Sequence, residues 1–205
     1  MTAPPTRPAP QPLKPVDRRY PNTSLHMTGV AMLFAGVGMF VCVLVELMVA
    51  DGAAIALLVS GITTCTAGFV IWRSTRVGEV RPTTIFTAVA VTWLTLSLVG
   101  TLPYLLSGTI TRFDDALFES ISGFTCTGST ILTSIEGNSR GVLFWRQMTQ
   151  WFGGMGVIVL AVAVLPFLSV GGLDLIRAEA PGPDADRLAP RIRGTASRLW
   201  ALYVG

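Results

Sequence analysis

Charge is scarce in this sequence. Asp, Glu, Lys and Arg make up 13% of its 205 residues, against roughly a quarter in an ordinary soluble domain. The scarcity is uneven, and long stretches carry almost no charge at all, which excludes a water-facing surface for them. Histidine occurs once, at His26 beside the start of an apolar stretch, where neither a Ser/His/Asp arrangement with a usable base nor a histidine metal site is expected. The three cysteines, Cys42, Cys65 and Cys126, are an odd number without metal-ligand spacing. Cys42 and Cys65 lie inside apolar stretches, where cysteine behaves as a small hydrophobe. There is no glycine-rich phosphate loop. An enzyme is therefore not expected, nor a cofactor, nor any catalytic residue.

What is abundant is apolar: 51% of the residues are hydrophobic. Four windows are long enough to cross a bilayer, which takes about 20 apolar residues. They run from about Met27 to Ala50, Ala53 to Trp72, about Thr84 to Ser107, and about Gly141 to Ser169. The fourth contains Arg146 and Pro166 and is longer than a span requires, so a tilt or kink is expected. Each must be helical, because hydrocarbon offers no partner to an unpaired backbone group. The stretch before the first window, residues 1–25, is rich in proline and has the composition of a disordered tail. It is too long a lead-in, and the window itself too long, for a secretory signal.

Twelve of the 15 basic residues fall in the tail, in the loop between the second and third windows, or after the fourth. The positive-inside rule puts these segments, and the N-terminus, in the cytoplasm of a multi-pass inner-membrane protein. Arginines beside anionic lipid account for the net charge of +3 without a nucleic-acid partner.

Windows three and four then pose a topological question. The third ends outside and the fourth begins outside, so residues 108–140 leave and return on the outer face. Within them, "ALFESISGF" (116–124) is too apolar for a plain external loop. Leu117, Ile121 and Phe124 recur at helical spacing, Asp114 or Asp115 can cap the N-terminus, and Gly123 sits where a helix breaks. Nine helical residues reach only about 14 Å, which dips into a bilayer without crossing it. The chain must return through "TCTGST" and "ILTSIEGNS". Non-helical backbone at that depth requires burial in protein or a watery cavity. The C-terminal end of such a half-helix directs partial negative charge inward, and backbone carbonyls beyond it can replace a cation's hydration shell. The alternative is an extracellular loop packed on the protein surface.

"ALFESISGFTCTGSTIL", "RGVLFWRQMTQWFGGMGVIVLAVAVLPFLSVGG", "RAEAPGP" and "RLAPRIRGTASRLWALYVG", in this order, resemble the TrkH/KtrB family of potassium uptake proteins, TrkH-type members in particular. The resemblance covers roughly residues 25 to 205. It implies an all-α membrane protein: two extra transmembrane helices (26–75), then one helix–pore-loop–helix repeat of the potassium-channel-like type (82–170), with a pore helix over 114–124 and a filter over 125–130. A cytoplasmic linker (171–187) and the opening of a second repeat (188–205) would follow. The carbonyls of Thr125, Cys126, Thr127, Gly128 and Ser129 would line a potassium path, Gly128 matching the glycine that each repeat contributes. Cys126 and Ser129 depart from the threonine and alanine common at these positions. The implied substrate is potassium, with no other metal. The implied partners are three further pore repeats, a second copy of the protein in a homodimer, membrane lipid, and a cytoplasmic TrkA-type nucleotide-binding subunit. With one pore loop where the family has four, the chain reads as an N-terminal piece. A truncated, non-conducting membrane interaction module is the alternative function.

Other residues carry lesser expectations. Asp114, Glu119 and Arg146 are candidate supports of the pore helix. Arg146 reads either as an interfacial anchor beside Trp145 and Trp151 or as a partner of Glu119 or Asp115. Glu119 is a candidate buried acceptor behind the filter. "GGMG" (153–156) permits close helix approach. Glu46 is expected to reach water at the outer end of its window.

Overall fold

The computed structural model describes residues 20–49, 51–78, 82–135, 137–168, 198 and 201–203. Helix α1 (Thr23–Val49) and helix α2 (Ala54–Ser74) form an antiparallel hairpin. Their backbones touch where glycines face each other: a Cβ on Gly29 would lie 2.8 Å from Trp72 N and 3.0 Å from Gly68 O. Without hydrophobic drive in lipid, such small-residue contacts are how membrane helices gain packing energy. A pair of two-residue strands, β1 (Tyr20–Pro21) and β2 (Thr75–Arg76), runs parallel below the hairpin.

The first turn of α1 is closed by Asn22, whose Oδ1 accepts the Leu25 amide at 3.1 Å while its own amide donates to Arg76 O at 3.1 Å. Asparagine at an N-cap satisfies an amide that no helical carbonyl can reach. The disordered tail expected over 1–25 therefore does not extend through its last residues: residues 20–25 belong to the strand pair and to α1. Residues 1–19 lie outside the described ones, as do the linker over 171–187 and most of 188–205; residues 198 and 201–203 are helical.

The third window is not one continuous helix. Helix α3 (Pro82–Val99) stops, and a short helix α4 (Leu102–Ser107) resumes after Gly100 and Thr101. Pro103 has no amide to continue the ladder. Thr101 Oγ1 takes up the Leu98 carbonyl at 2.7 Å, and the indole of Trp145 donates to the Gly100 carbonyl at 3.1 Å. Helix α5 (Phe113–Phe124) is the re-entrant segment, and helix α6 (Arg140–Leu168) is the fourth window, with Pro166 in its last turn.

By length and composition, Thr23–Val49, Ala54–Ser74 and Thr83–Ser107 can each cross a bilayer. The protein is a multi-pass membrane protein. Met48, Ile55 and Phe34 stand outward as lipid-facing side chains would. The core lies between α1, α2, α4, α5 and α6, around Met39, Leu57, Tyr104, Phe124, Val142 and Trp145. Phe124 meets Trp145 edge to face, 6.4 Å between ring centres, the arrangement the ring quadrupoles favour.

Candidate cation site at the end of the re-entrant helix

Helix α5 begins at Phe113, after Arg112 in an extended conformation. Asp114 and Asp115 occupy its first turn rather than the cap, and no side chain caps it. There they meet the positive end of the helix dipole. Both pair with Arg112 at the surface, Asp115 at 3.6 Å and Asp114 through a short bidentate contact. The Arg112 guanidinium beside Asp114 holds its carboxyl below the usual carboxylate range. Asp114 is thus a local partner of Arg112, and the structure does not bring it to the segment after the helix.

The other end of α5 is wedged against α6. A Cβ on Gly153 would collide with the Phe124 carbonyl, and one on Gly123 with the Thr149 hydroxyl. The close approach expected of the "GGMG" stretch is present, with the end of the re-entrant helix as Gly153's partner. Beyond Phe124 the chain folds back on the helix end. The amides of Thr125, Cys126, Thr127 and Gly128 donate to Ile121 O (2.9 Å), Gly123 O (2.9 Å), Ser122 O (3.0 Å) and Ser122 O (3.4 Å). These bonds consume the helix's terminal carbonyls. Two residues take positive φ, Cys126 at 56° and Gly128 at 76°. Glycine reaches that region without penalty; cysteine does not.

Glu119 lies behind this segment with its side chain 1% exposed. Its Oε2 accepts Thr130 Oγ1 at 3.0 Å and Ile131 N at 3.1 Å, and its Oε1 accepts Arg146 Nε at 2.6 Å. Arg146 Nη2 donates to Gly128 O at 3.3 Å, and Ser122 Oγ donates to Ser129 O at 2.6 Å. Arg146 is therefore Glu119's partner and not a free interfacial anchor. Its side chain is 12% exposed, because it faces Glu119 on α5.

The expected site residues separate accordingly. Gly128 and Ser129 have carbonyls already held by side chains. The carbonyls of Thr125, Cys126 and Thr127 accept no hydrogen bond among the described residues, and residues 125–130 are all exposed. Cys126 turns its thiol to the Gln150 carbonyl, 3.2 Å away on α6, and the hydroxyls of Thr125 and Thr127 meet at 2.8 Å. The carbonyls of Thr125, Cys126 and Thr127, with the mutually bonded threonine hydroxyls beside them, present partial negative charge beyond a helix C-terminus without a formal one, since Glu119 is matched by Arg146. Such a surface can take a dehydrated monovalent cation and still release it.

Two contributors were not legible in the sequence. Ser122 ties the far end of the segment to the helix, and a serine inside a helix gives no sign of a partner seven residues on. Glu46, expected to reach water, is wholly buried. Its carboxylate accepts Ala53 N (2.7 Å), Ser139 Oγ (2.6 Å) and Gly141 N (2.8 Å). The first turn of α6 lands on it and shuts out solvent.

Comparison with known proteins places this geometry. The TrkH family profile, described as cation transport protein, matches residues 53–205. The Trk system potassium uptake protein TrkH of Escherichia coli K12 is 44% identical over 182 residues, covering 85% of this chain and 37% of that protein. TrkH of Halomonas elongata is 41% identical over 183 residues, 87% of this chain and 38% of that protein. The crystal structure of the potassium transporter TrkH from Vibrio parahaemolyticus superposes with a TM-score of 0.73 at 33% identity, covering 89% of this chain and 36% of that one. The chain thus spans little more than a third of the length of these relatives. A short helix between the third candidate span and α6, its end wedged on α6, and these matches over most of the chain lead to one assignment: the chain belongs to the TrkH family of cation transport proteins.

Proposed function

We propose that this chain supplies the two leading helices and the first pore repeat of a potassium uptake protein, and that the backbone from Thr125 to Ser129 forms one quarter of its filter. The observation that carries this reading is the set of unpaired carbonyls at Thr125, Cys126 and Thr127, held at the end of α5 by the Glu119–Arg146 pair, which are 2.6 Å apart. Potassium gives up its hydration shell to such carbonyls without needing a charged ligand. Carbonyls exposed on this chain require neighbours at membrane depth. Three further repeats around one axis provide them.

In this reading the N-terminus and the basic segments face the cytoplasm of the inner membrane, the protein is a homodimer, and a TrkA-type nucleotide-binding subunit docks on the cytoplasmic face. The chain binds no cofactor, and potassium is its cargo. The test is rubidium uptake by potassium-transport-deficient bacteria carrying the complete gene that encodes this chain. Uptake is expected, and replacing Gly128 with a bulky residue abolishes it, because Gly128 sits at φ 76°. Absence of uptake by a protein that reaches the membrane overturns the proposal.

A further inference from the structure

The leading helix pair contributes none of the residues from Thr125 to Ser129, yet it grips the helix that braces them. Helix α6 opens with amides that no intrahelical carbonyl can reach. Three of these are capped by side chains. Gly141 N donates to Glu46 Oε2 at 2.8 Å, Arg140 N to Asp51 Oδ2 at 3.2 Å, and Val142 N to Ser139 Oγ at 3.5 Å. Glu46 and Asp51 come from the end of α1 and the turn after it, some 90 residues earlier in the chain. Glu46 turns both carboxylate oxygens inward: Oε1 holds Ala53 N, fixing the α1–α2 turn, while Oε2 holds the cap Ser139 and the amide of Gly141. Gly141 is what admits it, since a Cβ there would lie 2.7 Å from both the Cβ and the carboxylate of Glu46. A carboxylate at the positive end of a long helix gains from the dipole as well as from the hydrogen bonds.

The same helix carries Arg146, five residues beyond Gly141, or about 7.5 Å along the axis. Arg146 holds Glu119 at 2.6 Å and the Gly128 carbonyl at 3.3 Å. A rotation or axial slip of the first turn of α6 lengthens both contacts together. We infer that Glu46 is a positioning residue for the cation path, through which the leading helix pair fixes the register of α6 and hence of Arg146 against the filter segment. This rests on the reading that Thr125–Ser129 form that path.

A cap that only stabilises the fold changes how much protein reaches the membrane. A positioning residue also changes how each molecule handles ions. The variant to make is Glu46→Gln, which keeps the shape but has one acceptor oxygen, so it serves either Ala53 or Gly141 and turns an N–H toward the other. In the complete protein at matched membrane abundance, E46Q raises the rubidium KM about threefold or more and lowers the preference for rubidium over sodium. Combined with Arg146→Lys, it adds little to the effect of Arg146→Lys alone, because both act through one contact. Thr63→Ala, an exposed hydroxyl on α2 bonded to its own helix, leaves both values unchanged. Should E46Q fail to reach the membrane, Ser139→Ala removes a single hydrogen bond from the same carboxylate and is measured the same way. The inference is overturned if the variant that reaches the membrane has lower abundance or thermal stability but an unaltered KM and ion preference. If the unmodified protein takes up no rubidium, it is the potassium reading that fails.

Discussion

Cysteine in the left-handed region of backbone space is strained by about 1 kcal/mol, and Cys126 at φ 56° is held there by its surroundings. Its amide is bound to Gly123 O and its thiol is turned to Gln150 O on α6. The side chain therefore points to the scaffold, and only the carbonyl is available to an ion. Cys126→Thr is expected to leave the preference for potassium over sodium nearly unchanged while lowering thermal stability slightly, since a β-branched residue tolerates positive φ less well. A large gain in potassium preference, measured by competitive uptake, shows instead that the side chain at 126 ligates. Glu119 behaves oppositely, because its side chain carries the role. Glu119→Gln removes the charge that matches Arg146, and leaving one member of a buried ion pair uncompensated costs about 3 kcal/mol or more. At matched membrane abundance, rubidium uptake is expected to fall at least tenfold, and full activity shows that the charge of Glu119 does not support uptake. The pairing of Glu119 with Arg146 was open in the sequence as one of two alternatives, since both lie near one membrane surface. The burial of Glu46 was not, because nothing in a single apolar window tells which helix will land on its polar residue.

At the scale of elements, the re-entrant helix was legible from topology and periodicity together: an apolar half-turn pattern too short to cross, with both flanks on one side. Its start was misplaced because Asp114 and Asp115 look like caps, whereas they sit in the first turn and pair with Arg112. The break at Gly100 and Thr101 was also written in the sequence, as "GTLP", but an average over twenty residues hides an interruption of two. The break matters to the site, since the Gly100 carbonyl it releases receives Trp145, and Trp145 packs on Phe124 at the end of α5. The glycines of α6 differ sharply in what they tolerate. A Cβ on Gly153 strikes the Phe124 carbonyl, which is backbone and cannot turn away, whereas one on Gly156 lies 3.3 Å from the Trp93 ring. Gly153→Ala is expected to lower stability by about 1–3 kcal/mol and Gly156→Ala by less. Thermal unfolding of the purified protein in detergent ranks them, and equal effects show that α5 and α6 are not in close contact.

Across the whole molecule, the two ends of the bundle differ in chemistry. At one end, β1 and β2 join the segment before α1 to the segment after α2, so Tyr20 and Pro21 lie on the same side as Thr75 and Arg76. At the other, the α1–α2 turn meets the first turn of α6 through Glu46 and Asp51. Arg73, in the last turn of α2, and Arg76, in β2, thus lie at the end opposite the Glu46 clamp, and since arginine-rich short loops are retained in the cytoplasm this end is expected to face it. Tyr20 and Gly137 mark the two ends; Tyr20 is 76% exposed, and a Cβ on Gly137 meets only Ser134 Oγ at an ordinary 3.7 Å. With Cys42, Cys65 and Cys126 replaced, Gly137→Cys is expected to react with a membrane-impermeant maleimide in cells whose outer barrier alone has been opened. Tyr20→Cys is expected to react only once the inner membrane is breached. The reverse pattern inverts the protein in the membrane, and with it the side from which the proposed cation path opens.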